Sequence, residues 1–347
     1  MPARDYIQRL ASDRYDGEIQ NAVEAALEQI ANQVTLSDLA EAIERGDEEQ
    51  VIRLITDQIP GAFDQVRTAE LAAMGAAGVA TMGVVPAAER GDQRIAVKFN
   101  KGNSRAVRGV DRIHVELIRE ITEETRDTIR DEIRASLRDG DNPRVAGRRI
   151  RGKWNPVTRR HDGGVLGLTR HQADITRRAR ERLLSGDPAE MRKYLGMKLR
   201  DKRFDRTVIN AIEEGGAIPK AKAEKMAAAY RRKSVQRRAE TIARDQSLAA
   251  LDSGQDSAIE QAKDEGIIRD EDVVEFWVTS RDSRVRDVHQ AVPTMNSQGV
   301  RKNQLFETPL GPLLKPRHRG SPGSVPANLI QCRCTRFMQV RQQGGEA

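Results

Sequence analysis

Val273-Val274-Glu275-Phe276-Trp277-Val278-Thr279 carries the clearest strand pattern in the chain, with Val274, Phe276 and Val278 on one face and Trp277 on the other. The polar run from Ser280 to His289 follows at once. It sets Asp282 and His289 seven residues apart, two helical turns, so a helix there would put the acid and the imidazole on one face. Proline and glycine then dominate, in Thr308-Pro309-Leu310-Gly311-Pro312 and Ser321-Pro322-Gly323-Ser324-Val325-Pro326, and predict loop because proline lacks the amide donor. The chain returns through Asn328 to Met338, a second short strand on which Cys332 and Cys334 point to the same side.

Two thiols on one face can act as joint ligands. With His289, and with Asp282 or His318 completing or orienting the group, they form a candidate metal site whose thiolates and imidazole suit zinc. The same residues could instead be a thiol nucleophile with a histidine partner. A third reading pairs Asp282 with Arg284 or Arg333 and leaves His289, Cys332 and Cys334 as small packed groups. No second acid, phosphate-cradling glycine loop or metalloprotease histidine pair accompanies them, so a non-enzymatic role is expected.

Trp277, Asp282 with Arg284 and Arg286, His289, Phe306 before a Gly-Pro turn, and Cys332-Arg333-Cys334 form an ordered set. This set resembles the C-terminal signature of the phage Mu F-like minor head proteins, also called phage head morphogenesis proteins. The likeness extends more loosely upstream to about Phe99 and leaves the first ninety or so residues uncovered. Where that family has Asn directly before the first cysteine this chain has Gln331, with Asn328 three residues earlier, and it lacks the usual acidic residue after Pro-Gly. The resemblance implies a minor capsid protein of a tailed phage or prophage. Such a protein works at the portal vertex and capsid interior of the virion, after assembly in the bacterial host cytoplasm. Its implied partners are the portal protein and capsid or scaffold proteins, and its implied role is in head assembly and DNA packaging or ejection.

The composition of the whole chain fits this picture. Of 347 residues 3% are aromatic and 32% charged, which suits long, Ala-rich, salt-bridged helices better than a compact sandwich or barrel. The expected fold is therefore mostly α, an extended multi-helix body with a small α+β C-terminal domain. Three domains are expected: an acidic helical region over 1–85, a basic helical body over 86–252 and the α+β domain over 253–347. The C-x-C spacing of the two cysteines argues against a disulfide framework and for a reducing compartment. Met1–Tyr6 lack an apolar signal region. Residues 71–88 are uncharged, but seven alanines, three glycines and Pro86 give them modest apolarity. That content argues for a packed or mobile Ala/Gly segment and against a membrane span.

Charge is distributed unevenly. Residues 1–70 hold fifteen acids and six Lys/Arg, whereas residues 144–182 hold twelve Lys/Arg and three acids. Density of this kind attracts phosphate, so Arg144, Arg148, Arg149, Arg151, Lys153, Arg159, Arg160, Arg170, Arg177 and Arg178 are candidate contacts to double-stranded DNA without sequence preference. The competing reading pairs them with acids on neighbouring helices. A non-specific DNA-binding protein and a metal-dependent enzyme using Asp282, His289, Cys332 and Cys334 are thus the alternatives to a head protein. A helix-turn-helix regulator is disfavoured, because about seventeen residues separate the helix at Arg144–Arg151 from the one at Thr169 where that motif has a turn of three or four.

Capping residues and breakers predict the helices. They are expected over Asp16–Val34, Leu36–Arg45 and Asp47–Ile59, the last closed by Pro60 and Gly61 and carrying Val51, Leu54, Ile55 and Ile59 at helical spacing. A boundary near 86–104, punctuated by Pro86, Gly91 and Gly102, holds one short strand at Ile95–Phe99. A long helix follows over Ser104–Leu137, and 142–164 reads as a helix stub and a loop. A capping box at Thr169 and Gln172 opens the next helix, and Asp187-Pro188-Ala189-Glu190 opens another. Two further helices, Lys220–Arg232 and Val235 to about Asp252, the second continuing to Glu265, lead back to the strand at Val273.

Overall fold

The computed structural model describes residues 7, 9–90 and 93–341. Met1–Tyr6 and Gly91, an expected boundary glycine, lie outside the described residues. In chain order the helices are α1 (Asp16–Gln33), α2 (Leu36–Glu44), α3 (Glu48–Thr56), α4 (Ile59–Ala62) and α5 (Asp64–Met82), then strands β1 (Ala88–Arg90) and β2 (Gln93–Ile95). There follow α6 (Ser104–Arg138), α7 (Pro143–Arg151), β3 (Lys153–Asn155), β4 (Arg160–Asp162), α8 (Arg170–Leu184), α9 (Pro188–Leu195), α10 (Asp205–Glu213) and α11 (Lys220–Asp264). The C-terminal part adds β5 (Val273–Val278), α12 (Asp287–Gln290), α13 (Val292–Met295), β6 (Val300–Arg301), α14 (Pro326–Leu329) and β7 (Thr335–Val340). The chain is mostly α with a small α+β C-terminal part.

The expected caps form. Thr35 Oγ1 accepts from Asp38 N at 3.1 Å, Asp47 Oδ1 from Gln50 N at 2.9 Å, and Thr169 and Gln172 close a reciprocal capping box at 3.3 and 3.1 Å. Each such cap contributes about 1 kcal/mol by satisfying an amide that the helix cannot.

Other boundaries differ from expectation for local physical reasons. Pro60 and Gly61 do not stop a helix but open α4, whose first turn needs no amide donor. The break expected at Lys233-Ser234 is absent: Ser234 Oγ donates to Tyr230 O at 3.1 Å and α11 runs unbroken for 45 residues. The strand expected at Ile95–Phe99 lies earlier, at Gln93–Ile95, paired with Ala88–Arg90. The loop expected after α7 contains a hairpin pairing Lys153 with Asp162 and Trp154 with His161. On α6 the apolar stripe buries Leu117, Ile121, Ile129 and Ile133, but Leu137 is 69% exposed, because a spacing of four drifts around a helix of 3.6 residues per turn.

Two compact units divide the chain, each discontinuous in sequence. One gathers the stretches up to Gln20, Val66–Val115 and from Thr241 onward; the other takes Asn21–Gln65 and Glu116–Glu240. In the second unit α2 packs on α7 where Gly147 faces Leu36 and Leu39. A separate core there joins Ala179, Leu183, Met191, Tyr194, Val208 and Met226.

In the first unit the antiparallel sheet has the order β6-β5-β7. Its central strand pairs Val273 with Val340 through Val278 with Thr335 on one side, and Val274 with Arg301 on the other. Being central, β5 is buried on both faces, so Glu275 is enclosed beside its valines. The uncharged segment of this unit is packed: a Cβ on Gly78 would come within 2.2 Å of the Phe99 ring, and one on Gly254 of α11 within 2.2 Å of Met74 O. Among the described residues no helix is long and apolar enough to cross a membrane.

Gly254→Ala is therefore expected to destabilise the protein by about 1–3 kcal/mol through overpacking against backbone. Gly17→Ala, in open space on α1, should stabilise it by about 0.4–1 kcal/mol by narrowing the unfolded ensemble. Denaturant midpoints of the two variants read both signs in one experiment.

Candidate metal centre

Three segments of the first unit bring His289, Cys332 and Cys334 together: α12, α14 with the turn after it, and the extended residues that lead into β7. The strand itself begins at Thr335, so the two cysteines precede it and do not sit on its face as expected. All three residues are buried, at 2%, 2% and 1% exposure. His289 Nδ1 lies 3.4 Å from Cys332 Sγ and 3.8 Å from Cys334 Sγ. One ligand atom from each residue lies within 4.8 Å of the others, so the group could hold a metal ion. Zinc bonds of about 2.3 Å to sulfur and 2.0–2.1 Å to nitrogen, in tetrahedral geometry, put sulfur and nitrogen about 3.6 Å apart. The observed separations bracket that value.

A hydrogen-bond relay fixes which imidazole nitrogen faces the sulfurs. Thr308 Oγ1 donates to Gly311 O at 2.6 Å, and Asn328 Nδ2 donates to Thr308 Oγ1 at 3.1 Å and Gly323 O at 2.9 Å. A carbonyl can only accept, so the amide nitrogen of Asn328 must face Gly323 and its Oδ1 is left for His289 Nε2, 3.2 Å away. Nε2 then carries the proton and Nδ1 presents its lone pair to the thiols. An oxygen acceptor on the ring nitrogen that faces away is what orients metal-bound imidazoles. The thiols are polarised unequally. A hydrogen bond from Cys334, aided by His289 and Arg317 and opposed by burial, lowers the Cys332 pKa well below the ordinary thiol range, while the same bond and burial push Cys334 well above it.

The indole of Trp277 meets the His289 ring edge-on at 5.7 Å and Phe306 at 5.6 Å, and Leu313 and Val292 complete the wall. The indole N–H is buried on the Cys334 side of this wall, where it favours the thiolate.

Asp282 and His318, the expected fourth members, stand apart from the centre. The segment after β5 is a turn and not a helix, so the two-turn spacing does not bring Asp282 under His289. Its carboxylate meets Arg333 Nη2 at 2.5 Å and Arg284 Nη2 at 3.4 Å. Burial raises its pKa, but the Arg284 amide and the Arg333 guanidinium outweigh that and hold it below the usual range. His318 Nδ1 is bonded to Ser321 Oγ at 2.8 Å. Arg286 Nη2 donates to Ile330 O and fastens the turn that precedes Cys332.

Arg336, unassigned by spacing, comes two residues after Cys334 and is buried, with Asp256 at 2.6 Å, Glu275 at 3.0 Å and Asp252 at 3.4 Å. It ties β7 to α11 and β5. The sequence signal for it is weak, since Cys334-Thr335-Arg336 reads as one more basic surface position.

The ten candidate DNA contacts fall into two groups. Arg149 bonds Glu132, Asp139 and Asp141, Arg151 Nε donates to Ala31 O, Arg170 pairs with Asp131, and Arg177 and Arg178 both pair with Asp174. Among the described residues Arg144, Arg148, Lys153, Arg159 and Arg160 form no ion pair. Comparison of the chain with protein-family models, with curated proteins and with solved structures finds no match.

Asn328→Ala removes the relay, leaves His289 Nε2 buried without its acceptor, and leaves Gly323 O with Val325 N as its donor. The expected cost is about 1–3 kcal/mol in denaturant midpoint. An unchanged midpoint would mean that the ring is held by packing alone.

Proposed function

We propose that the chain is a non-enzymatic minor head protein of a tailed phage or prophage. It acts at the portal vertex and capsid interior in head assembly and in DNA packaging or ejection, and zinc on His289, Cys332 and Cys334 staples its C-terminal part. The observation that supports this reading is the gathering of an ordered signature spread over some sixty residues: Trp277 on His289, Asp282 on Arg333, Arg286 on Ile330, and both cysteines on the imidazole. Burial of all three ligands favours a structural over a catalytic role, because a nucleophile or an open metal position must be reached by substrate. Zinc would supply a cross-link between α12 and the segment entering β7, in a region with little regular structure of its own.

Portal docking through the acidic N-terminal region must use its charged face. Val51 and Ile55, the apolar stripe of α3, are fully buried in the chain itself. Mass spectrometry of purified heads, with and without genome, should find the protein in both. Its absence from both would overturn the assignment.

Protein purified under reducing conditions without added metal should contain about one zinc per chain, and Cys332→Ser should lose both the metal and C-terminal stability. Elemental analysis that finds no metal, with thiols slow to react and Cys332→Ser costing little, would make the centre a hydrogen-bonded packing cluster. The head-protein reading would survive that result.

A further inference from the structure

We propose that the β3–β4 hairpin is a preformed ribbon that contacts duplex DNA, with Lys153, Arg159 and Arg160 on phosphates and the Trp154 indole and Val157 lying against the groove. The inference rests on the reading that the protein works beside packaged DNA.

From Pro143 to His161 the chain holds seven Lys/Arg and no acid. Arg149 and Arg151 are committed within the fold, whereas Lys153, Arg159 and Arg160 are exposed and form no ion pair among the described residues. Apolar residues of the same hairpin are also turned outward. Val157 is 90% exposed and Trp154 44%, side by side with these cations on one short ribbon.

The base of the hairpin, by contrast, is fixed on every side. Glu28 Oε1 accepts from both the backbone N and Nδ1 of His161, each at 2.9 Å. Trp154 stands directly across the ladder from His161, edge-on at 5.3 Å. Asn155 Nδ2 donates to Asp162 Oδ2 at 2.6 Å, while its Oδ1 accepts from Val157 N and Thr158 N and so sets the turn. Behind the base the buried Arg231 donates to the carbonyls of His161, Gly164 and Leu166.

A rigid base with an exposed cationic tip spends little ordering entropy on binding. A two-stranded ribbon fits the major groove, where apolar groups contact thymine methyls, and basic side chains fit the backbones on either side. Single-strand binding would need several stacking rings, and the hairpin exposes one.

The test uses the full chain and a short duplex of random sequence. Trp154 and Trp277 are the two tryptophans, and Trp277 is 1% exposed, so duplex-induced change in emission reports Trp154. The change should vanish in W154F. The triple variant K153Q/R159Q/R160Q, checked for an unaltered melting temperature, should lose at least about tenfold in affinity at low salt, and its log-log salt slope should fall by about 0.9 for each phosphate contact removed. The control R206Q/K220Q, which alters two exposed cations of the same unit, should bind as the wild type does. Equal loss in both variants, an undiminished triple variant, or emission that responds to polyglutamate and not to DNA would overturn the proposal. The last result would favour an acidic protein partner. If the binding tests fail while the wild-type chain is still found in purified heads, this inference falls and the head-protein reading stands, so the two are separable.

Discussion

Close approach of helix backbones is the constraint on which this structure depends. With six Phe, four Tyr and two Trp in 347 residues, the chain cannot fill wide gaps between helices with rings, so the helices must come near enough for alanine and glycine to touch. Gly254 against Met74 O, Gly109 against Ser253 Oγ and Gly147 against the leucines of α2 are such places. The uncharged Ala/Gly segment belongs to the same solution. Much of it lies on α5, where Ala73, Met74, Gly75, Ala77, Gly78, Thr81 and Met82 are buried.

A second consequence of a thin apolar core is that long basic side chains take part in it. Arg231 is buried and bonded to three carbonyls with no carboxylate in its hydrogen-bond shell, and burial lowers its pKa to about 10. Arg238 reaches Glu124 at 2.5 Å. Arg336 collects three carboxylates. Guanidinium suits this work because its planar fork can satisfy several acceptors at once while its stem covers apolar surface. Breaking any of these groups would strand the others without water or partner. Arginine counted along the sequence therefore overstates the charge offered to an outside partner, and the surplus narrows to the few cations that no acid answers.

Where local chemistry decides, the sequence was legible: the caps at Thr35, Asp47 and Thr169, the long helix over Ser104–Arg138, the strand at Val273 and the proximity of His289 to both cysteines. Where partners distant in the chain decide, it was not. The β3–β4 hairpin is too short and too basic to show alternation, and it is held by Glu28 from more than a hundred residues away. Asp282 is mixed: the helix that would set it under His289 is a turn, whereas the pairing with Arg284 or Arg333 that the sequence also offered does form. The continuity of α11 through Lys233-Ser234 turned on a hydroxyl that could have capped a new helix but bonds back to the preceding turn instead.

The Pro/Gly-rich loops of the C-terminal part have a role that their composition hides. Gly311, at φ +104°, lies against Gly323 so closely that a Cβ on Gly323 would come within 2.1 Å of Gly311 O. Only two glycines allow this crossing of backbones. It stations Gly311 O where the Thr308 hydroxyl donates to it and Gly323 O where Asn328 Nδ2 donates to it. The direction of every later hydrogen bond follows, ending with the lone pair of His289 Nδ1 aimed at two sulfurs. Asn328 thus holds the imidazole through an amide oxygen whose direction the crossed loops set.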